Sequence, residues 1–328
     1  MMRRFNSLTG SAFAIRRIVV LLVLLATTSA VAEVDGEDVA SIREKMDSDG
    51  FVILRQFFDK SMLQEWKVFS EIYFYRAFQE MYNHGHIDAP KPIQVELSKD
   101  GKQIQSAYYT MKMGPEYGFK EIVHRYPGRY ELSLQLPKDG DRRKVSMLEG
   151  MPDLDPIIEK VKPIALSIFQ QHPLASKLTS SSNKNERDNV EFNLIYSFLM
   201  STTCAADQMW HVDGGHLESS NGVYYPTHCF NVFIPLVDVT EDLGPTEVVP
   251  KSHLKSHAVK VNQGLKLDTI PLSPTLTVGD AFLFDFRTLH RGQGNKSITN
   301  RPILVLTFSI PSFTDTLNWP ERSLFDSA

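Results

Sequence analysis

Cysteine is almost absent. Cys204 and Cys229 are the only two in 328 residues, too few for the disulfide framework of a small secreted scaffold. Long apolar runs are also missing. The longest, Ile18–Ala26 (IVVLLVLLA), is about nine residues against the roughly 20 that span a bilayer. There is no excess of positive charge: Lys+Arg number 35 and Asp+Glu 39, for a formal net charge of −4. That removes any general pull toward nucleic acid or anionic lipid. No internal repeat or low-complexity tract occurs, which excludes solenoids and repeat arrays.

Residues 1–32 contain no acid at all, but carry Arg3, Arg4, Arg16 and Arg17 ahead of and against the apolar run. Ala30-Val31-Ala32 then supplies a small-x-small cleavage pattern before Glu33. Basic, apolar, small-residue is the order of a secretory signal. A mitochondrial presequence and an uncleaved type II anchor are the alternatives; a continuous apolar block is not amphipathic, which favours the signal. Loss of the four arginines would take the net charge from −4 to −8. In an oxidising lumen Cys204 and Cys229 could pair or stay as two reduced core thiols, and sequence leaves both open. One glycosylation sequon exists, Asn295-Lys296-Ser297.

From Glu37 to His84 the apolar spacing is mainly helical, with Asp59 as a cap and Leu63, Trp66, Phe69, Tyr73 and Phe74 on one face. Inside it, Gly50–Arg55 (GFVILR) predicts a short strand. Residues 85–150 mix turn residues with short strands such as Ser106–Met111. Residues 152–172 predict a one-faced helix, and Asn183–Asn189 is a polar connector. From Val190 the texture changes to short strands rich in Val, Ile and Phe: Phe192–Leu199, Phe230–Val239, Ala281–His290 and Ile303–Ile310. No linker divides the parts. The expectation is one domain over 33–328, mainly β with flanking helices, with a β core starting near residue 190.

The stretch Met209–His216 (MWHVDGGH) carries two histidines and a carboxylate. Residues two apart on a strand point the same way, so His211 and Asp213 would offer an imidazole and a carboxylate to one cation. A third ligand must come from elsewhere. In Gly279–Gly292 (GDAFLFDFRTLHRG), a regular strand would turn His290 to the side of Phe282, Phe284 and Phe286, toward the core. Two histidines and one carboxylate with positions left open is the ligand pattern of non-haem Fe(II) oxygenases. An HxD pair alone arises easily by chance, so its surroundings decide.

Those surroundings resemble a known family. From about residue 40 to about 320, MDSDGFVILRQFFDKSMLQEW, MWHVDGG, FNVFIPLVDVTEDLGPTEVVPKSH and VGDAFLFDFRTLHRGQGNKSITNRPILVLTFS follow the order and spacing of the phytanoyl-CoA dioxygenase family of Fe(II)/2-oxoglutarate oxygenases. The resemblance implies a double-stranded β-helix core (a jelly roll, cupin-like). His211, Asp213 and His290 match the iron ligands. Arg301, eleven residues after His290, matches the arginine that grips the far carboxylate of 2-oxoglutarate; its planar fork suits a carboxylate. It also implies O₂ as co-reactant, ascorbate as a reductant, release of succinate and CO₂, and hydroxylation of an aliphatic carbon of a small organic molecule. Related halogenases lack the carboxylate that stands here as Asp213.

Asn193 and Asn231 lie in otherwise apolar runs, where an unpaired amide is costly. Both are read as facing the cosubstrate, with a structural hydrogen bond as the alternative. His228 and His253 are read as structural, His216 as a loop residue at the metal mouth, and Met209 and Trp210 as core, with contact to substrate as the alternative. Lys251 stands where the family usually has glycine. Asn295 is expected to face inward, unmodified. The expected partner is a small-molecule substrate, with no nucleic acid and no membrane span once the leader is removed. Phe325–Ala328 is no peroxisomal address, so phytanoyl-CoA itself is not the expected substrate. A zinc hydrolase on the same ligands and a non-catalytic binding protein are the alternatives.

Overall fold

A computed structural model of the chain describes residues 38–87, 118–136, 142–178, 192–254 and 269–326, with three two-residue strands outside them, Glu33–Val34 (β1), Glu96–Leu97 (β3) and Gln103–Ile104 (β4). The expected leader at 1–32, the expected strand Ser106–Met111 and the expected connector Asn183–Asn189 lie outside the described residues. The helices are α1 (Val39–Asp49), α2 (Lys60–Asn83), α3 (Arg142–Met147) and α4 (Asp155–Phe169). The strands within the described segments are β2 (Phe51–Leu54), β5 (Ile122–Tyr126), β6 (Arg129–Ser133), β7 (Asn193–Ser201), β8 (Cys229–Pro235), β9 (Thr246–Val248), β10 (Ala281–Asp285), β11 (His290–Gly292) and β12 (Arg301–Ser309).

The helices start where side chains can satisfy free amides. Asp38 accepts from Ala40 and Ser41 ahead of α1, and Asp59 accepts from Ser61 at 2.8 Å ahead of α2. Gly50, at φ +83°, ends α1 in the left-handed conformation and turns the chain straight into β2.

Eight strands form one sheet in the order β1-β2-β10-β8-β12-β7-β6-β5, antiparallel except for β1 with β2. Opposite stands a two-stranded ribbon of β9 and β11, extended by bridges between His211 and His290, Val248 and Leu272, and Val239 and Leu276. This is the jelly roll. Alternation along the strands separates its two faces. Leu304, Leu306 and Phe308 of β12, with Phe198 and Met200 of β7, point outward and pack with Trp66, Phe69 and Tyr73 of α2 and Ile157, Val161 and Ile164 of α4. Ile303 and Val305 point inward and join Phe233, Phe282, Phe284 and Val248 between the sheets. The inner face carries the site.

Two expectations need correction, and the open question of the two cysteines is answered. Ala281–His290 is not one regular strand: β10 stops at Asp285, the chain turns, and Thr288 donates to the Asp285 carbonyl at 2.8 Å. His290 therefore reaches the interior from β11, in the opposing ribbon, and the parity with Phe282 and Phe284 is not what places it. Met209 and Trp210 are not core. Met209 is 73% exposed, and Trp210 is half-buried beneath the guanidinium of Arg291, 4.7 Å from its ring centroid. No disulfide joins Cys204 to Cys229. Cys229 pairs with Ser309 and Cys204 follows Ser201, which pairs with Arg301. The two cysteines lie near opposite ends of β12, roughly 25 Å apart, far beyond bridging reach.

Lys251 adopts φ +65°, so this lysine holds the left-handed conformation that glycine would take more cheaply. Gly244 cannot be replaced in that way. It sits at φ +71° before β9, and a Cβ there would run into the carbonyl oxygens of Gln293 and Gly294. Gly244→Ala should destabilise the protein by about 2 kcal/mol or more. Chemical denaturation would read this as a lower midpoint with an unchanged slope.

Candidate metal centre

The two histidines meet through their backbones. His211 N–H donates to the His290 carbonyl at 3.0 Å, and His290 N–H returns the bond to His211 at 2.9 Å. Asp213 then leaves the strand line, and its amide donates to the carbonyl of Phe286 at 3.0 Å. Thus the turn after β10 holds the aspartate while the strand after that turn holds His290. Gly214 lets the chain pass the Phe286 ring, which a Cβ would approach to 2.5 Å.

The donor atoms converge. One ligand atom each from His211, Asp213 and His290 lies within 4.8 Å of the others, and this is the one such trio among the described residues. His211 Nδ1 bonds the carbonyl of Met209 at 2.8 Å, and His290 Nδ1 bonds that of Thr288 at 2.9 Å. A carbonyl only accepts, so each Nδ1 carries the proton and each Nε2 presents a lone pair. Those Nε2 atoms lie 3.9 and 3.7 Å from Asp213 Oδ1. Burial lowers the pKa of His290 to about 4, with the Asp213 charge opposing, so the ring is neutral and ready to ligate at physiological pH. The other aspartate oxygen, Oδ2, accepts from Asn231 Nδ2 at 2.7 Å, and Asn231 Oδ1 accepts from Thr307 at 2.7 Å. Asn318 Nδ2 donates to the Asp213 carbonyl at 3.0 Å.

A cavity of about 290 Å³ joins this trio to Arg301. Arg301 is fully buried, and none of its three guanidinium nitrogens has a hydrogen-bond partner among the described residues. A side chain that is always charged cannot relieve this by deprotonating. Burial, and then the charge of Arg129, drive its pKa well below the usual arginine value. The sheet register puts Arg129, Ser201 and Arg301 in one row across β6, β7 and β12. Arg129 is also fully buried, bonds the carbonyls of Gln293 and Ala206, and leaves Nη1 without a partner; the Ser201 hydroxyl lacks one too. Burial lowers Arg129 to about 10. Of the three only Arg301 lines the cavity, and its unsatisfied fork can take a carboxylate there.

The sequence-predicted residues divide. His211, Asp213, His290, Arg301 and Asn231 meet at this cavity. Asn231 orients the carboxylate. Asn193 does not line the cavity: it lies at the far end of β7, and its amide donates to the carbonyls of Ile310, Pro311 and Phe313. His216 stands by Arg287, outside the trio. His253 is buried and bonds the Asp47 carbonyl, and His228 is buried against Phe313. Asn295 faces inward, donating to the carbonyls of Ser201 and Thr299. The sequence did not single out Arg129 or Ser201, since neither belongs to a motif and only strand register sets them beside Arg301. Nor did it single out Asn318, whose segment has no motif.

The turn that carries the site is itself tied by a buried ion pair. Asp285, fully buried, accepts from Arg287 N, Nε and Nη2 at 2.6–2.8 Å and from Thr227 at 2.7 Å. Burial pushes the Asp285 carboxyl up, but the Arg287 bonds and charge outweigh it and hold the net pKa below the ordinary value. A depressed acid contributes stability above the unfolded pKa of about 4 that is lost as pH falls through the folded value. Asp285→Asn should cost about 3 kcal/mol or more at neutral pH and flatten the acid limb below about pH 4. Thermal melts over a pH series would show both effects.

A family model described as Phytanoyl-CoA dioxygenase (PhyH) matches residues 135–303, just over half of the chain. Among solved structures, AviO1 from Streptomyces viridochromogenes is similar at 15% identity, over 85% of this chain and 97% of that one, with a TM-score of 0.46. EvdO2 from Micromonospora carbonacea var. aurantiaca, complexed with 2-oxoglutarate, is similar at 17% identity, over 88% and 100%, with a TM-score of 0.44. The epimerase SnoN, in complex with Fe³⁺, alpha ketoglutarate and nogalamycin RO, is similar at 13% identity, over 88% and 96%, with a TM-score of 0.44. With its ligand trio and buried arginine arranged on a jelly roll, and the family match running through both, this chain belongs to the phytanoyl-CoA dioxygenase (PhyH) family.

Proposed function

We propose that this protein is an Fe(II)- and 2-oxoglutarate-dependent dioxygenase that hydroxylates an aliphatic carbon of a small organic molecule, with release of succinate and CO₂. One observation carries the reading: a single cavity holds both a His-Asp-His trio with converging donor atoms and a buried arginine without a counter-charge. Two imidazoles and a carboxylate suit Fe(II). The unpaired guanidinium suits the far end of a diacid.

His211 Nε2, His290 Nε2 and Asp213 Oδ1 would hold the metal, which when bound supplies oxygen activation coupled to decarboxylation of the cosubstrate. The chain supplies position. Asn231 and Asn318 fix Asp213 from side chain and backbone, the kind of support that sets ligand orientation. Leu199, Phe233, Phe286 and Val305 supply the apolar part of the cavity wall. Arg301, the buried cation lining the cavity, anchors the cosubstrate so that its other end faces the trio. Asp213 occupies the place that related halogenases leave to halide, which supports hydroxylation. A zinc hydrolase on the same ligands would leave the charge of Arg301 without a role. The basic-then-apolar order of residues 1–32 supports delivery to the secretory pathway.

Incubation with Fe(II), ascorbate and 2-oxoglutarate should release succinate, and Asp213→Ala should lower that release by at least a hundredfold. Release that needs no iron, or that survives the substitution, would sink the assignment. Arg301→Met separates the two halves of the site. It removes an uncompensated buried charge, so the ligand-free melting temperature should hold or rise. 2-Oxoglutarate should raise the melting temperature of the metal-loaded wild type but not of the variant.

A further inference from the structure

A second cavity, of about 770 Å³, lies on the same inner face, farther from Arg301. Thr307, Asp315 and Trp319 line both cavities, so the two are neighbouring chambers. Thr307 marks the sill, since its hydroxyl donates to Asn231, which in turn holds Asp213. Ile195, which shares the inner parity of Thr307, and Phe313 give the second chamber apolar walls. The ligand trio and Arg301 are complete without this space.

One group in it is out of place for a structural role. Lys144, on α3, lines the chamber but is only 4% exposed. Its ammonium donates to the Ser133 carbonyl at 2.6 Å and to the Tyr73 hydroxyl at 2.7 Å. An ammonium has three donors; beyond these two bonds and the Tyr73 ring, whose centroid is 5.5 Å from Nζ, no further oxygen or nitrogen acceptor reaches it among the described residues. No carboxylate lies within ion-pair distance of it among those residues. Glu121, which also lines the chamber, is engaged by the Ser323 hydroxyl and the Leu324 amide, both at 2.9 Å. Burial pulls Lys144 down to about 7, against the field of Glu121 and with that of Lys120. A donor for Ser133 alone could be neutral; burying an ammonium costs several kcal/mol unless an anion joins it.

The occupant's chemistry follows. One open donor beside Glu121 matches a monoanion better than a dianionic phosphate. The apolar walls require a hydrocarbon body. Ser133 and Asn231 are three strands apart in the sheet, on the order of 15 Å, so that body must be several carbons long to approach the trio.

We propose that the second chamber seats the primary substrate, and that Lys144 takes the carboxylate of an aliphatic acid whose chain runs along Ile195 and Phe313, past Thr307, toward the metal site. Naming the occupant the substrate rests on the oxygenase reading; the acid site itself rests on Lys144 and its chamber.

The test is binding, so that it does not depend on turnover. Octanoate and dodecanoate, with octanol and dodecanol as uncharged controls, are titrated by calorimetry into the full-length protein. At least one acid should bind about tenfold or more tightly than its alcohol. Lys144→Met should erase that preference, while Lys144→Arg retains part of it. Lys144→Gln, which keeps hydrogen bonding without charge, serves if the methionine variant melts early, and should also lose the preference. Equal binding of acid and alcohol, no binding of any probe, or full acid binding by both neutral variants would overturn the proposal. Succinate release is measured in parallel. Lysine-dependent acid binding without iron-dependent succinate release would overturn the oxygenase reading and leave the acid site standing. Succinate release without acid preference would overturn the acid site alone.

Discussion

Two backbone hydrogen bonds between His211 and His290 hold the site together. They tie a segment that follows β7 to the ribbon that follows β10, and so set two imidazoles side by side with ring centroids 4.4 Å apart. Everything else in the centre is arranged around that pair. The turn carbonyl of Phe286 receives the Asp213 amide, and the Asp285–Arg287 pair stiffens the turn from behind. Phe284 packs against His290 with centroids 4.7 Å apart. Each histidine spends its Nδ1 proton on a nearby carbonyl, which fixes the tautomer before any metal arrives.

The inner face of the large sheet is an unusual interior, because it buries positive charge without matching negative charge. Arg129 and Arg301 flank Ser201 in one row, and Lys144 stands at the edge of the neighbouring chamber. In a domain that bound nothing, such charges would be a net cost. Their persistence makes sense as preorganisation for anionic ligands, since the donors are fixed in place before the ligand comes. Asp207 offsets part of the burial of Arg129, but no carboxylate lies within ion-pair distance of Arg301 or Lys144 among the described residues. Asp213 is held by Asn231, and Glu131 by Arg125 at 2.6 Å and Ser197 at 2.7 Å.

The C-terminal segment closes the arrangement. Asn318 bonds the backbone of Asp213 and Arg125 bonds the carbonyl of Asn318, while Arg125 lies over the Trp319 ring at 5.2 Å. A piece of chain with no strand or helix thereby forms the shared wall of both cavities. Its composition carries no signal of this role. Short polar bonds to a distant strand leave no periodicity behind.

What the sequence by itself determined is local or periodic: helices at 39–49 and 60–83, a strand between them, and the strand-rich half after residue 190. The ligand trio and Arg301 were legible because a run of motifs in fixed order resembles one family, not because any single HxD pair is informative. What only the tertiary structure decided is which distant residues share a face. Register alone puts Arg129 beside Ser201 and Arg301, sends Asn193 to the far end of β12, and parts Cys204 from Cys229. Even His290 arrives by a route the strand pattern did not predict. Strand pairing is non-local, so a residue's neighbours across the sheet are set by turns and packing that no short window of sequence contains.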